Sequence, residues 1–201
     1  MKVEEYRGVR GLVAAEVTKD DNDVGGGYVT GTPFPVCGVA ELSKSTETSS
    51  EAHYYDNAPA VIIDSTGSDE VTITGSAIPF DVLAKITGQY YDDEKGMFVE
   101  GERDVKYFAI GYITKKTDGT EVFVWRLKGK FNVPDSTHAT EDDGTDANGQ
   151  ELTYTGINTS HKFTSTGKTA KSVNVDTSKN AVEEGAFFKT VQTPDTVTTN
   201  A

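Results

Sequence analysis

The sequence predicts a mainly β, antiparallel fold with one short helix, on three observations. Short apolar runs, several of them alternating, recur between clusters of Gly, Ser, Thr, Asp and Asn. An Asp-Gly pair, Asp118-Gly119, lies between two of the clearest runs. Only around Pro79 does the apolar spacing clearly change to three residues.

Taken in order, residues 8–18 form the first expected strand, with Val9, Leu12, Val13 and Val17, and it closes in Asp20-Asp21-Asn22-Asp23. After Gly25 to Gly27, Pro33 and Pro35 make residues 28–36 an extended edge segment, because proline cannot donate to a ladder. A strand is expected over 38–43, and the polar residues 44–51 read as a loop ended by Tyr54-Tyr55-Asp56-Asn57. Residues 60–64 and 70–75 read as two short strands around a turn at 65–68.

The spacing of Phe80, Leu83 and Ile86 predicts a helix over 79–87, with Pro79 at its first position and Gly88 as its stop. The hairpin of 105–115 and 121–131 follows. On its second strand Phe123, Trp125, Leu127 and Phe131 are expected to face the core, with Arg126, Lys128 and Lys130 on a wet or interfacial face and Val122 and Val124 beside them at the strand's start. Residues 134–149 carry Asp135, Glu141, Asp142, Asp143 and Asp146 without Lys or Arg and read as an exposed loop. Further strands are expected at 151–159, 161–164 and 171–176. Asn180-Ala181-Val182-Glu183 matches a capping box, so a short C-terminal helix should carry Phe187, Phe188 and Val191 inward. Residues 192–201 read as a polar tail.

The 201 residues suffice for one substantial core, and the chain reads as a single domain, 1–201. Nine Phe, nine Tyr and one Trp set within strand patterns argue against disorder, although hydrophobic content is only 35%. The net charge of −13, from 32 acidic and 19 basic side chains, gives no surplus of cations with which to neutralise phosphates. Such a chain repels DNA. No apolar stretch is expected to cross a membrane, the longest lying near 58–63 and 107–113, and residues 1–7 lack the apolar region of an export signal.

Chemistry finds little support. With Cys37 alone there is neither an internal disulfide nor a cysteine metal site, and its setting between Val36 and Gly38 suits a small buried hydrophobe. His53, His138 and His161 lack ligand spacing. The acidic stretches at 20–23 and 146–149 fail the calcium-loop pattern at its twelfth position, and no Gly-x-Ser-x-Gly elbow or phosphate-binding loop is present. No catalytic, cofactor or metal residues are assigned.

The order of several segments is nonetheless distinctive. Gly-Gly-Gly-Tyr-x-Thr-Gly-Thr-Pro-Phe-Pro-Val from Gly25 to Val36 is followed by Gly38-Val39-Ala40, the polar stretch and Tyr54-Tyr55-Asp56-Asn57. Then come Phe80-Asp81-Val82-Leu83 to Gly88, Phe108-Ala109-Ile110-Gly111-Tyr112 and Trp125-Arg126-Leu127. As a set, over roughly residues 8 to 190, these resemble the major tail (tail tube) proteins of long, non-contractile-tailed bacteriophages.

The resemblance implies an antiparallel β-sandwich or half-open barrel with one flanking helix, a fold shared with type VI secretion tube proteins. It implies rings of six subunits stacked into a hollow virion tail tube that conducts DNA. From the net charge of −13, the lumen of such a tube is expected to be net negative, a wall along which DNA slides without sticking. Partners would be further copies and the tape measure, terminator and baseplate or tip proteins, with synthesis in the host cytoplasm and no membrane or cofactor. The arms at 1–7 and 192–201 and the long loop at 43–57 would bridge rings, making Tyr54, Tyr55 and Asp56 the candidate contacts. The competing expectation for these three is burial as strand-end aromatics of the monomer core. A phage or cell-surface β-sandwich adhesion module that binds carbohydrate is the alternative function, and an exposed Trp125 would favour it.

Overall fold

A computed structural model describes residues 3–22, 27–138, 140 and 149–198 of the chain. Its strands are β1 (Tyr6–Asp20), β2 (Tyr28–Thr30), β3 (Phe34–Pro35), β4 (Val39–Tyr55) and β5 (Ala58–Gly75), then helix α1 (Phe80–Thr87). They continue with β6 (Tyr90–Asp92), β7 (Met97–Val99), β8 (Phe108–Lys116), β9 (Glu121–Phe131), β10 (Asp135–Ser136), β11 (Gln150–Gly156) and β12 (Ser172–Asp176), and end in helix α2 (Glu184–Phe187). The fold is mainly β and antiparallel, as expected.

One sheet runs β2-β1-β8-β9-β11-β5-β4, with β3 on β1, β10 on β11 and β12 on β9; β6 and β7 form a separate hairpin. β1 approaches β4 without pairing to it, so the sheet curls on itself but stays open. The concave side holds one core, built from Leu12, Ile73, Ile110, Phe108, Leu152 and Tyr154 and covered in part by Leu83 and Ile86 of α1. The opposite side of β1, β8 and β9 holds a second core, where Phe163, Val175, Phe187 and Val191 of the C-terminal third cover Ala15, Ile113, Phe123, Trp125 and Leu127. Each large apolar side chain so buried stabilises the fold by about 1.5–3 kcal/mol relative to exposure.

This double burial corrects the expected reading of β9. Val122 and Val124 are as buried as Phe123 and Trp125, and Arg126 is buried with them, so the strand has no wet face over this stretch. Phe131 also changes sides. Ile110 pairs with Arg126 but Phe108 with Gly129, so β9 carries one extra residue, and such a bulge reverses the alternation beyond it. Phe131 therefore joins the concave core, whereas Leu127 joins the other. Gly129 sits where the Tyr154 ring crosses the backbone; an added Cβ would meet Tyr154 Cζ at 2.3 Å.

The helix is where the spacing predicts it, with Pro79 one position earlier than expected. Its ψ of 140° is extended, so it is the N-cap, and its carbonyl accepts from Leu83 N at 2.8 Å. Gly88 ends the helix with φ of 75°, in the left-handed region that favours glycine, and its N–H donates to the Ala84 carbonyl. At the C-terminus the capping box does not form. α2 spans four residues behind Glu183, which makes no side-chain cap, while Asn180 Nδ2 donates to the Thr198 carbonyl. Phe187 and Val191 are nevertheless buried, as expected.

Other expectations need correcting. Residues 161–164 are not a strand but a turn region with a single bridge, Phe163 to Lys168. Of the expected arms, Tyr6 already belongs to β1, and Thr193 and Val197 pack against the body; residues 1, 2 and 199–201 lie outside the described residues. The acidic stretch at 134–149 contributes β10, which pairs with β11, and residues 139 and 141–148 likewise lie outside.

The largest departure is at 44–51 and 65–68, read as loop and turn. Both are strand: β4 and β5 pair almost continuously from Val39↔Gly75 to Tyr55↔Ala58. Ser and Thr are ordinary strand residues where one edge is paired and both faces meet water. Their polarity suggests a loop only if a strand is assumed to need a core.

Candidate assembly surface

The outer half of the β4–β5 hairpin stands apart from the body. β11 pairs with β5 only from Asp69 to Gly75, so beyond Asp69 the two strands have, among the described residues, each other as their only ladder partners. Every residue from Glu47 to Tyr55 and from Ala58 to Gly67 is exposed. The eight residues of β4 from Thr48 to Tyr55 form a ribbon about 25 Å long at a rise of about 3.3 Å per residue. Its turn is Asp56-Asn57, with φ of 51° and 64°. A two-residue hairpin of this kind needs positive φ at both central positions, which Asp and Asn tolerate better than most residues.

The ribbon leaves from a polar anchor. Asp69 is 5% exposed and Arg126 is 7% exposed, and Arg126 Nη1 donates to Asp69 Oδ2 at 2.8 Å. The other oxygen, Oδ1, accepts from Thr46 Oγ1 at 2.9 Å and Lys171 Nζ at 3.1 Å, and Lys171 also donates to the Gly67 carbonyl. Arg126 Nε donates to the Tyr112 hydroxyl at 3.2 Å. Burial pushes the Asp69 carboxyl up, but the hydrogen bonds from Lys171 and Thr46 and the charges of Lys171 and Lys44 outweigh it and hold the group below the usual range. The anchor joins β4, β5, β9 and the approach to β12 at the point where the ribbon departs. Beside it a cleft of about 730 Å³ opens between Leu42, Lys44 and Asp69 on one wall and Tyr112, Val122, Val124 and Arg126 on the other.

The structure places Tyr54, Tyr55 and Asp56 together at the ribbon tip. The tyrosines are 67% and 64% exposed, so they are not strand-end aromatics of the core. Asp56 is a turn former, with positive φ. Sequence reasoning missed Val61, Ile62 and Ile63, which are 49%, 65% and 54% exposed on the facing strand. Their signal was present as an apolar run at 58–63 between polar stretches, but it was read as an ordinary strand.

The other candidates do not converge. His53 lies on the ribbon and His138 is exposed, whereas His161 is half-buried beside β1, with Nδ1 3.1 Å from the Asp21 carbonyl. Asp20, from the acidic turn, accepts from Lys128 Nζ, Ser160 N and His161 N, which ties the end of β1 to the segment after β11. Cys37 is half-buried against the concave core, and burial pushes its thiol up, away from the nucleophilic thiolate. Among the described residues no group of three or more His, Cys, Asp or Glu could hold a metal ion, and no helix is long and apolar enough to cross a membrane. Trp125, whose exposure would have favoured an adhesion module, is fully buried, and its Nε1 donates to the Phe187 carbonyl at 3.3 Å.

The sheet is open and curled, with one flanking helix, and its ribbon exposes Tyr54, Tyr55, Val61, Ile62 and Ile63. Among curated proteins none matches the sequence. The family model described as "Phage tail tube protein" matches residues 23–193, most of the chain from the β1–β2 connection to the segment that covers the second core. The chain belongs to the phage tail tube protein family.

Proposed function

We propose that this chain is a structural subunit, without catalytic activity, that closes into rings of six and stacks them into the hollow tail tube of a long, non-contractile-tailed phage. The ribbon carries this reading: Tyr54 and Tyr55 are held in water at the end of about 25 Å of paired strand. That exposure has no use in a lone subunit and a clear one in a neighbour's surface. In this reading Tyr54, Tyr55 and Asp56 touch the next ring. The free edges of β4 and β2 add support, because open sheet edges are hazards in a monomer and joints in an assembly. Heterologous contacts of this kind close into rings when the rotation allows.

The same reading gives the charge a role. A lumen lined with a net share of the acidic surplus repels phosphates, so DNA slides past instead of binding. The tape measure, terminator and tip proteins would meet the tube in the virion, after synthesis of the chain in the host cytoplasm. Electron microscopy of the purified protein, alone and seeded with tail tips, tests the proposal. Stacked six-fold rings or tubes are expected; a lone globule inside mature virions, with no sheet running between molecules, would overturn it.

A further inference from the structure

The inner end of β4 carries a lysine on the side of the sheet that meets the core. Paired residues of neighbouring strands share a face, so Leu42↔Ile73 and Lys44↔Val71 place Leu42 and Lys44 inward, beside two fully buried residues. Lys44 is nevertheless exposed, because the curled sheet is open at this end. Among the described residues no carboxylate lies within ion-pair distance of it and no acceptor takes its hydrogens. Across the opening β8 and β9 present Tyr112 and Val124 as a cross-strand pair, with Val122 beside them. The cleft of about 730 Å³ lies between these walls. That volume is in the range of small-molecule sites, which favour the mouths of barrels and combine apolar walls with a few convergent polar groups.

Arg126 lines the same cleft and has hydrogens to spare. It uses Nη1 on Asp69 and Nε on the Tyr112 hydroxyl, while Nη2 has no acceptor among the described residues. None of their buried side-chain nitrogens or oxygens lacks a partner, so Nη2 meets solvent, and the cleft is where this otherwise buried side chain reaches it. The Tyr112 hydroxyl accepts from Arg126 and keeps its own hydrogen to donate. Asp69, the carboxylate of the lining, is already engaged by Arg126, Thr46 and Lys171. It balances one of the two lining cations, so the cleft is net positive in a chain of net charge −13. We propose that this cleft binds a small amphipathic anion, its carboxylate between Lys44 and Arg126 and its apolar body along Leu42, Val122 and Val124. A bare inorganic anion would leave the apolar walls unused, and a neutral apolar molecule would leave the two cations without an acceptor. The site goes beyond the tube reading and does not depend on it.

The test titrates octanoate into the isotope-labelled, unassembled chain and follows backbone amides by NMR, with octanol, acetate and inorganic phosphate as comparisons. Octanoate should shift the amides of Leu42, Val122 and Val124 saturably. Each comparison should bind at least about tenfold more weakly, since each lacks either the charge-assisted hydrogen bonds or the apolar contact. Lys44→Gln, at an exposed position, should weaken octanoate about tenfold while leaving octanol binding and the unfolding of the ligand-free chain unchanged. Absence of a saturable shift up to about 10 mM octanoate overturns the site. Equal affinity for octanol would make it an apolar crevice, and equal affinity for acetate or phosphate a patch for any anion; either result overturns the proposal. Full octanoate affinity in Lys44→Gln, or shifts confined to the exposed Ile62 and Ile63, overturns it as well. None of these readouts requires rings or tubes to form, so the site and the tube reading stand or fall separately.

Discussion

β5 passes through two environments without interruption. Between Asp69 and Gly75 it lies between β11 and β4, and its inward residues are fully buried. Between Ala58 and Gly67 it keeps β4 but loses β11, and every residue is exposed. Hydrogen bonding is therefore similar along β4, while the burial that stabilises the body is absent from the ribbon. A two-stranded hairpin in water is marginally stable on its own. This ribbon is held at its root by Asp69, Arg126 and Lys171 and closed at its tip by Asp56-Asn57. The body specifies the monomer, and the ribbon presents what the monomer leaves uncovered.

The largest effects should come from the body. Arg126→Leu leaves Asp69 buried without its arginine, and breaking a buried pair from one side costs about 3–5 kcal/mol. Denaturant unfolding should show that loss, and native-state hydrogen exchange, compared with the unsubstituted chain, should show opening speeded more at Gly67 to Asp69 than at Val71 to Gly75. Trp125→Ala, which opens a cavity in the second core, should cost a similar amount, about 3–5 kcal/mol, without that local signature at the ribbon root. Equal exchange patterns in the two variants would mean that the anchor is merely one more piece of core.

Gly129→Ala should fall next, at about 1–3 kcal/mol, because the Tyr154 ring and the Thr155 carbonyl must move to admit a methyl group. Thermal unfolding of the purified monomer measures it. Substitution by alanine at Gly119, where nothing approaches within 4 Å, meets only the conformational cost of its φ of 93°.

Acid should act on the anchor in a definite direction. Asp69 is held below the ordinary carboxylate range, and Asp176 is lowered to about 2 by the hydrogen bond from Lys116 and those from Ser178. A carboxyl depressed by folding binds its proton more readily in the unfolded chain. Its contribution is then complete above the unfolded value and is lost as pH falls through the folded one. For Asp176 the window runs from the ordinary 3.8 down to about 2. Unfolding midpoints should hold steady down to about pH 5 and decline below about pH 4. In Asp69→Asn the decline should be shallower; an unchanged slope would remove Asp69 from the account.

The body was legible in the residues because its patterns have local causes. The 79–88 segment showed its spacing and its glycine stop, and the 108–131 hairpin showed its Asp-Gly turn. What stayed hidden depends on partners distant in sequence. The bulge that moves Phe131 to the concave side arises from the pairing of β8 with β9, and nothing within β9 announces it. Val122 and Val124 looked outward-facing because the core that receives them is closed by α1, β5 and β11. Of the candidate surface, Tyr54, Tyr55 and Asp56 were identified by resemblance, and the strand that displays them was read as a loop. Its Ser and Thr residues have no core to alternate against, so the period-two signal is missing where the strand is longest.

The smallest effect on the fold should come from the ribbon, and this sets the two halves of β5 furthest apart. Ile62→Ser and Tyr54→Ser remove exposed side chains with no described ring or core contact, and such surface changes lie within about 0.5 kcal/mol. Asp56→Asn keeps a residue that tolerates positive φ and removes only the charge, so the turn should persist. Monomer stability should be unchanged in all three, by thermal and denaturant unfolding alike. Assembly measured by sedimentation should fall in each, most for Ile62→Ser and Tyr54→Ser, which remove contact area, and least for Asp56→Asn, which removes one screened charge. If Ile62→Ser instead melts early and assembles normally, Ile62 supports the monomer, and the division between body and ribbon is drawn in the wrong place.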